Sequence, residues 1–157
     1  MNKYWLVKTE PETFSIDDWL RQPQQTTCWD GVRNYQARNF LRQMKRGDLA
    51  FFYHSNTTPP GIVGLMRIVE TDMIDPTQFD RDSPYYDSKS SPDSPRWWTV
   101  KVEFDRLFPQ MLPLGILKQN FTADELLLVR TGNRLSVMPV NQAIATKILA
   151  LVARQGV

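Results

Sequence analysis

Thr26–Asn56 reads TTCWDGVRNYQARNFLRQMKRGDLAFFYHSN, and its periodicity sets the reading of the rest of the chain. Within residues 32–46, the apolar side chains of Tyr35, Ala37, Phe40, Leu41 and Met44 recur three or four positions apart, the spacing of a helix with one buried face. Arg38, Arg42 and Arg46 fall four apart in a row that Asn34 begins, so they form a second stripe on that helix. Gly47 suits the left-handed position just past a helix end, and Lys45 and Arg46 lie where cations favour the negative end of the helix dipole. Asp48 then opens an aromatic run, Leu49–His54, that predicts a buried strand ending in the only histidine. The Asn, Thr, Pro-Pro and Gly of residues 56–61 turn the chain.

The whole chain bounds what this unit can belong to. Its 157 residues predict a single domain over residues 1–157. A net charge of +2 gives no global field toward a polyanion, so any nucleic-acid contact has to come from a local patch; Arg33, Arg38, Arg42, Lys45 and Arg46 are the densest one. One cysteine, Cys28, excludes an internal disulfide, and with one histidine it makes a metal site an unfavoured reading. No apolar run approaches the ~20 residues of a membrane span. The charges of Lys3, Lys8 and Glu10 do not fit a secretory signal. The expectation is a cytoplasmic protein, nuclear if eukaryotic, with no cofactor and a preference for the monomer.

Outward from the central stretch, residues 4–8 read as a first strand, and Lys8-Thr9-Glu10-Pro11 ends it as either a solvated rim or the lip of a mouth. Ser15 followed by Asp18 marks a helix start, with Trp19 and Leu20 on its packing face. Residues 61–70 form a nearly continuous apolar strand in which Gly64 marks a bulge or a close contact. Residues 71–95, rich in Asp, Ser and Pro, read as a long connection carrying Tyr85-Tyr86-Asp87. Residues 98–106 alternate as a half-exposed strand, and residues 112–117 as an edge strand. Thr122 and Glu125 make a capping box for a short helix over residues 126–129. A last strand covers residues 134–140, and Asn141 caps a final helix with Ile144, Ile148, Leu151 and Val152 on its buried stripe. Five or six short strands with three or four helices predict an α+β protein built on an antiparallel, mostly closed barrel.

Several of these pieces resemble one known family. They are Tyr4-Trp5-Leu6-Val7-Lys8-Thr9-Glu10-Pro11, Trp29 with the run from Gly31 through Arg33 to Asn39, Gly47-Asp48, Phe52-Tyr53-His54-Ser55-Asn56, Gly61-Ile62-Val63-Gly64, Tyr85-Tyr86-Asp87 and Arg134-Leu135-Ser136-Val137-Met138-Pro139-Val140. Together they resemble the EVE domain, a PUA-like module related to the YTH readers of methylated RNA bases. The resemblance implies a PUA-like antiparallel β-barrel flanked by helices, with a pocket for one base of DNA or RNA, often a modified one such as methyl- or hydroxymethylcytosine.

The residues themselves allow three functions. In a base-reading module, Trp29 would stack on the base, Asn34, Ser55 and Asn56 would hydrogen-bond its edge, and Tyr53, His54 or Tyr86 would complete the wall. Lys8, Thr9, Arg33 and Arg38 would meet phosphate or form the rim. Trp29 also has a plainer reading as a core tryptophan, and the sequence leaves both open. The second function is an RNA-processing hydrolase using His54 as base. Adjacent strand residues point to opposite faces, so His54 and Ser55 cannot serve each other as base and nucleophile, and no complete catalytic set is visible. The third is a protein-interaction adaptor that kept the fold without a ligand.

Overall fold

The computed structural model describes residues 3–155. In chain order it comprises β1 (Tyr4–Thr9), α1 (Ile16–Leu20), β2 (Thr26–Cys28), α2 (Tyr35–Gln43), β3 (Leu49–His54), β4 (Gly61–Ile74), β5 (Trp98–Pro113), α3 (Leu114–Asn120), β6 (Val137–Val140) and α4 (Gln142–Gln155). Single 3₁₀ turns lie at Pro23–Gln25, Pro76–Phe79 and Leu127–Val129. The strands form one sheet in the order β2-β5-β4-β3-β1-β6, so the fold is α+β.

The sheet corrects the expectation of an antiparallel closed barrel. β1 and β3 run parallel, Tyr4 opposite Leu49 through Thr9 opposite His54, and the other pairs are antiparallel. A parallel pair needs a long crossover rather than a hairpin; the segment with α1, β2 and α2 supplies it here. β2 and β6 are the two ends of the strand order and pair only inward, with β5 and β1, so the sheet is open. Pro139 sits in β6, where the missing N–H interrupts no central ladder.

Strand alternation divides the core. Trp5 and Val7 of β1 and Phe52 of β3 face α1 and α2, where Trp19, Ala37 and Leu41 meet them. Leu6, Phe51 and Tyr53 point the other way, toward Leu117 of α3 and Ile144 and Ile148 of α4. With both faces covered, the strands read as continuous apolar runs, which is why residues 61–66 lack polar alternation. At Gly64 an added Cβ would stand 2.7 Å from the Arg106 carbonyl oxygen. The β4–β5 register shifts beside it, so the glycine permits a close backbone approach.

Other boundaries moved for local reasons. α2 spans nine residues instead of the expected fifteen from 32 to 46, because Asn34 caps it, accepting from the Ala37 N–H at 2.9 Å, and the chain leaves the helix at Met44. Gly47 adopts φ +93° as expected, but one turn beyond the helix, where its N–H reaches the Ile68 carbonyl at 2.8 Å. The edge strand expected over residues 112–117 is absent: β5 runs to Pro113, and α3 starts directly after it. The expected short helix at 126–129 is a 3₁₀ turn, Leu127–Val129, preceded by the reciprocal Thr122–Glu125 bonds of the capping box. β6 is limited to four residues, and β4 extends to Ile74 into what read as loop.

Asp48 fastens three of these elements. Its buried carboxylate accepts from the Lys3 N–H at 3.0 Å, the Trp5 indole N–H at 2.9 Å and the Lys45 N–H at 2.9 Å. Its backbone carbonyl accepts from the Ile68 N–H at 2.8 Å. Asp48→Ala leaves a buried indole and two amides without acceptors, and is expected to cost ~3 kcal/mol. Equilibrium urea unfolding measures this; a loss under ~1 kcal/mol would mean that water replaces the carboxylate.

Candidate nucleic-acid interface

The bend between β2 and α2 is built from residues 29–33. The Trp29 N–H donates to the Val100 carbonyl at 2.8 Å, which continues the β2–β5 pairing by one step. Gly31 then takes φ +84°, and its N–H donates to the Asp75 carboxylate at 2.9 Å. Tyr85 lies against this glycine so closely that a Cβ there would be 2.7 Å from the tyrosine ring.

Arg33 locks the bend. Its guanidinium makes hydrogen bonds with all five N–H donors: to the Tyr85 carbonyl twice, the Val32 carbonyl, the Asp75 carboxylate and the Thr77 hydroxyl, at 2.7–3.0 Å. The guanidinium carbon also lies 5.2 Å from the Trp97 ring centroid and 5.7 Å from that of Tyr85. Burial pushes the Asp75 carboxyl up, but bonds from the Thr77 hydroxyl, the Gly31 amide, Arg33 and the Thr77 amide together hold it below the usual carboxylate range. The pair is therefore an ionised clamp, with the Asp75 side chain 1% exposed and that of Arg33 21% exposed.

Above this clamp lies a hollow of about 530 Å³, within the range of small-ligand sites. Phe14, Trp29, Val32 and Tyr85 give it apolar walls, and Thr13, Thr27, Asp30 and Ser136 bring polar groups. The Trp29 ring is 7% exposed and meets Phe52 edge-on at 5.5 Å and Trp19 at 6.5 Å. It is a core residue that also borders the hollow, so its two sequence readings coexist. Desolvation at the wall, and then the Asp75 carboxylate, push the Asp30 carboxyl above its usual range, although the residue as a whole is exposed.

The structure gathers some of the residues singled out by sequence and scatters others. Trp29, Lys8, Thr9 and Arg33 line the hollow. Alternation along β1 turns the Lys8 side chain to the opposite face, where its ammonium lies 5.9 Å from the Tyr53 ring centroid and burial lowers its pKa. Tyr53 itself is buried in the α3–α4 core, where desolvation raises its pKa to about 12. Asn34 is spent as the α2 cap. Ser55 and Asn56 follow β3 outside the hollow, with the Ser55 N–H bonded to the Thr9 carbonyl at 2.9 Å. Tyr86 points away, and its neighbour Tyr85 occupies the wall. Arg38 spends its donors on the Arg96 carbonyl and Asn39 and lies 4.8 Å from the Tyr35 ring centroid. Asp30 and Asp75 were not among the sequence candidates, and of the paired tyrosines the candidate was Tyr86, not Tyr85. Only Asp75 left a local sign, since Asp75-Pro76-Thr77 is an Asx-turn sequence, and its side chain accepts from the Thr77 N–H at 2.8 Å.

His54 is also committed elsewhere. Its Nε2 accepts the Ile16 N–H at 3.2 Å at the start of α1, and its ring packs edge-on to Phe52 at 5.3 Å. Burial lowers its pKa, outweighing the opposing pull of Asp17. The base reading of His54 needs the nitrogen that this amide occupies.

The EVE domain family model matches residues 3–151. The chain belongs to the EVE domain family. This EVE domain is 46% identical to human thymocyte nuclear protein 1 over 96% of its own length and 74% of that protein. A crystal structure of human THYN1 protein in complex with 5-methylcytosine containing DNA superposes with a TM-score of 0.91, at 46% identity over 96% of this chain and 98% of that one. A Pseudomonas syringae protein of known structure gives a TM-score of 0.89 at 49% identity, over 95% of this chain and 99% of that one. The YTH domain of a Zygosaccharomyces rouxii protein, solved with N6-methyladenosine RNA, shares the fold at a TM-score of 0.54 and 14% identity, covering 96% of this chain and 86% of that one.

Two outcomes are expected from this geometry. Gly31→Ala forces a side chain into the Tyr85 ring at a positive φ, and is expected to cost ~2 kcal/mol and to loosen the 75–87 segment; urea unfolding and amide exchange at Tyr85 and Tyr86 measure both, and unchanged exchange there would refute the contact. His54 has a folded pKa below its unfolded value of 6.5, so the unfolded chain binds the extra proton and stability falls as pH drops from 6.5 through the folded pKa. His54→Gln keeps an acceptor for the Ile16 amide without titrating, and is expected to flatten that part of the curve of melting temperature against pH. Parallel curves would refute the role.

Proposed function

We propose that this EVE domain binds nucleic acid by taking a single base, a modified cytosine, into the Trp29 hollow, and that it acts as a reader rather than a catalyst. The observation that carries the reading is the hollow itself: an aromatic wall beside the Asp30 carboxyl, in a chain so similar to one solved with 5-methylcytosine containing DNA. Stacking on an aromatic side chain is worth ~1–3 kcal/mol per base. Trp29 is suited to it because Trp19 and Phe52 already fix its ring, so little side-chain freedom is lost on binding.

Asp30 gives the reading chemical direction. A carboxylate accepts from the exocyclic amino group of cytosine, whereas thymine places a carbonyl oxygen at the same position. The carboxyl therefore separates the two pyrimidines, while the 5-methyl group adds only ~0.8 kcal/mol of apolar burial. Preference for methylated over plain cytosine is thus expected to be about fourfold, smaller than preference for cytosine over thymine. From a duplex, the base has to be flipped out at a cost of a few kcal/mol, so single strands bind more tightly than duplexes of the same sequence.

Fluorescence titration with short single-stranded DNAs bearing one central 5-methylcytosine, cytosine or thymine tests this. Trp29→Ala is expected to weaken binding roughly tenfold or more, and Asp30→Ala to bring the cytosine and thymine strands to equal affinity. Melting temperatures of both variants separate lost binding from lost folding, since Trp29 is also part of the core. Unchanged affinity in a folded Trp29→Ala variant would remove the stacking wall, and with it the reading.

A further inference from the structure

Among the arginines that look suited to phosphate by sequence, Arg33 and Arg38 are half-buried and bonded to the protein's own carbonyls, while Arg42 and Arg46 are exposed. Arg33 has no donor left, Arg38 holds the Arg96 carbonyl, and Arg42 lies 4.2 Å from the Trp98 ring centroid and 3.9 Å from the Asp72 carboxylate. A base held in the Trp29 hollow still needs its backbone placed, by cations that stand beside that hollow and hold no protein partner.

A second hollow, about 400 Å³, is lined in part by chain neighbours of residues that line the first. Arg33 lines the first hollow and Asn34 the second; Ser136 lines the first and Leu135 the second. The chain thus steps from one hollow to the other between consecutive residues at two places, and consecutive Cα atoms are about 3.8 Å apart. Arg130 and Arg134 stand on the wall of the second hollow, and its lining holds no carboxylate. Among the described residues, neither guanidinium has an ion-pair partner, and Arg134 is exposed.

The turn that carries these two arginines is fixed. The Asn133 side chain donates to the Leu127 carbonyl at 2.6 Å and accepts from the Leu135 N–H at 2.9 Å, and the Asn133 N–H donates to the Arg130 carbonyl at 3.1 Å. Gly132 takes φ +77° at its apex. Leu128, 7% exposed, anchors the same turn in the core. Two unpaired guanidinium forks on a rigid turn, beside a site for a base, have the geometry and chemistry that phosphodiester oxygens require.

We infer that Arg130 and Arg134 form the phosphate seat of this domain, holding the backbone that flanks the base in the Trp29 hollow. The inference rests on the base-reading function for the choice of partner, but on different residues. Single-stranded phosphate contacts each contribute ~0.7 to the slope of log affinity against log salt. The test titrates a short single-stranded DNA bearing one 5-methylcytosine, and its unmodified counterpart, against R130Q/R134Q over a range of salt. The double variant is expected to bind roughly tenfold more weakly at low salt, with a slope shallower by about 1.4 and an unchanged preference for the methylated strand. K118Q/K147Q, which removes the same charge from α3 and α4, is expected to keep the wild-type slope, and R130K/R134K to recover it. Equal slopes in wild type and a folded R130Q/R134Q overturn the inference while leaving base reading intact. A flattened slope in R130Q/R134Q with no preference for the methylated strand in either protein sustains the phosphate seat and removes the modified-base reading.

Discussion

The Arg33–Asp75 clamp is the constraint on which the rest of the site depends. It joins two segments 42 residues apart in sequence and leaves no guanidinium donor free. Burying two charges is costly, and a buried pair persists only where further hydrogen bonds satisfy both partners. Here the Thr77 hydroxyl and amide and the Gly31 amide complete the carboxylate, and carbonyls of Val32 and Tyr85 complete the guanidinium. The clamp thereby sets where Tyr85 lies, and Tyr85 closes one side of the hollow over Gly31.

The arginines of α2 and its approach share a pattern. Arg33 fastens residues 75–85, Arg38 fastens Arg96 and lies 6.0 Å from the Trp97 ring centroid, and Arg42 covers Trp98. Arg33 and Arg38 hold the connection between β4 and β5, a stretch with few apolar residues of its own, and Arg42 packs on the strand residues at its ends. Buried Gln78 reinforces it, donating to the Asp75 and Trp97 carbonyls and accepting from the Arg96 and Trp97 amides. Polar networks do here what a small apolar core cannot do for a Ser- and Asp-rich segment. Arg33 and Arg38, two of the cations that read as a nucleic-acid patch, are fasteners, while Arg42, Lys45 and Arg46 stay exposed, and a long connection becomes a wall.

Trp29 belongs to the core and also borders the hollow. Its ring is fixed by Trp19 and Phe52 on the core side, and the hollow lies beyond it. A wall supported in this way loses little entropy when a flat ring meets it, which offsets part of the cost of ordering a flexible strand. On the proposed base-reading function, the same rigidity leaves discrimination among bases to the polar edge, where Asp30 stands. The methyl group of a modified cytosine would supply only a small increment to that selection.

Local chemistry wrote much of this structure into the sequence. The Ser15–Asp18 cap, the Asn34–Gly47 helix-and-turn unit, the 49–54 and 61–70 strands and the glycine at position 64 depend on neighbours a few residues away, and all stand close to where periodicity put them. Trp29, Gly31 and Arg33 were legible as a unit for the same reason: an aromatic, a flexible residue and a cation before a helix. Only the tertiary structure decided that the sheet is open and has a parallel pair, because that follows from which strands meet across the crossover of α1, β2 and α2. It also decided that Tyr85 and not Tyr86 faces the hollow, that Asn34 and His54 spend their polar groups on helix starts, and that Arg33 faces Asp75. Sequence spacing carries the direction of a side chain within one element. The partner that claims its hydrogen bonds comes from a distant segment, and only folding brings the two together.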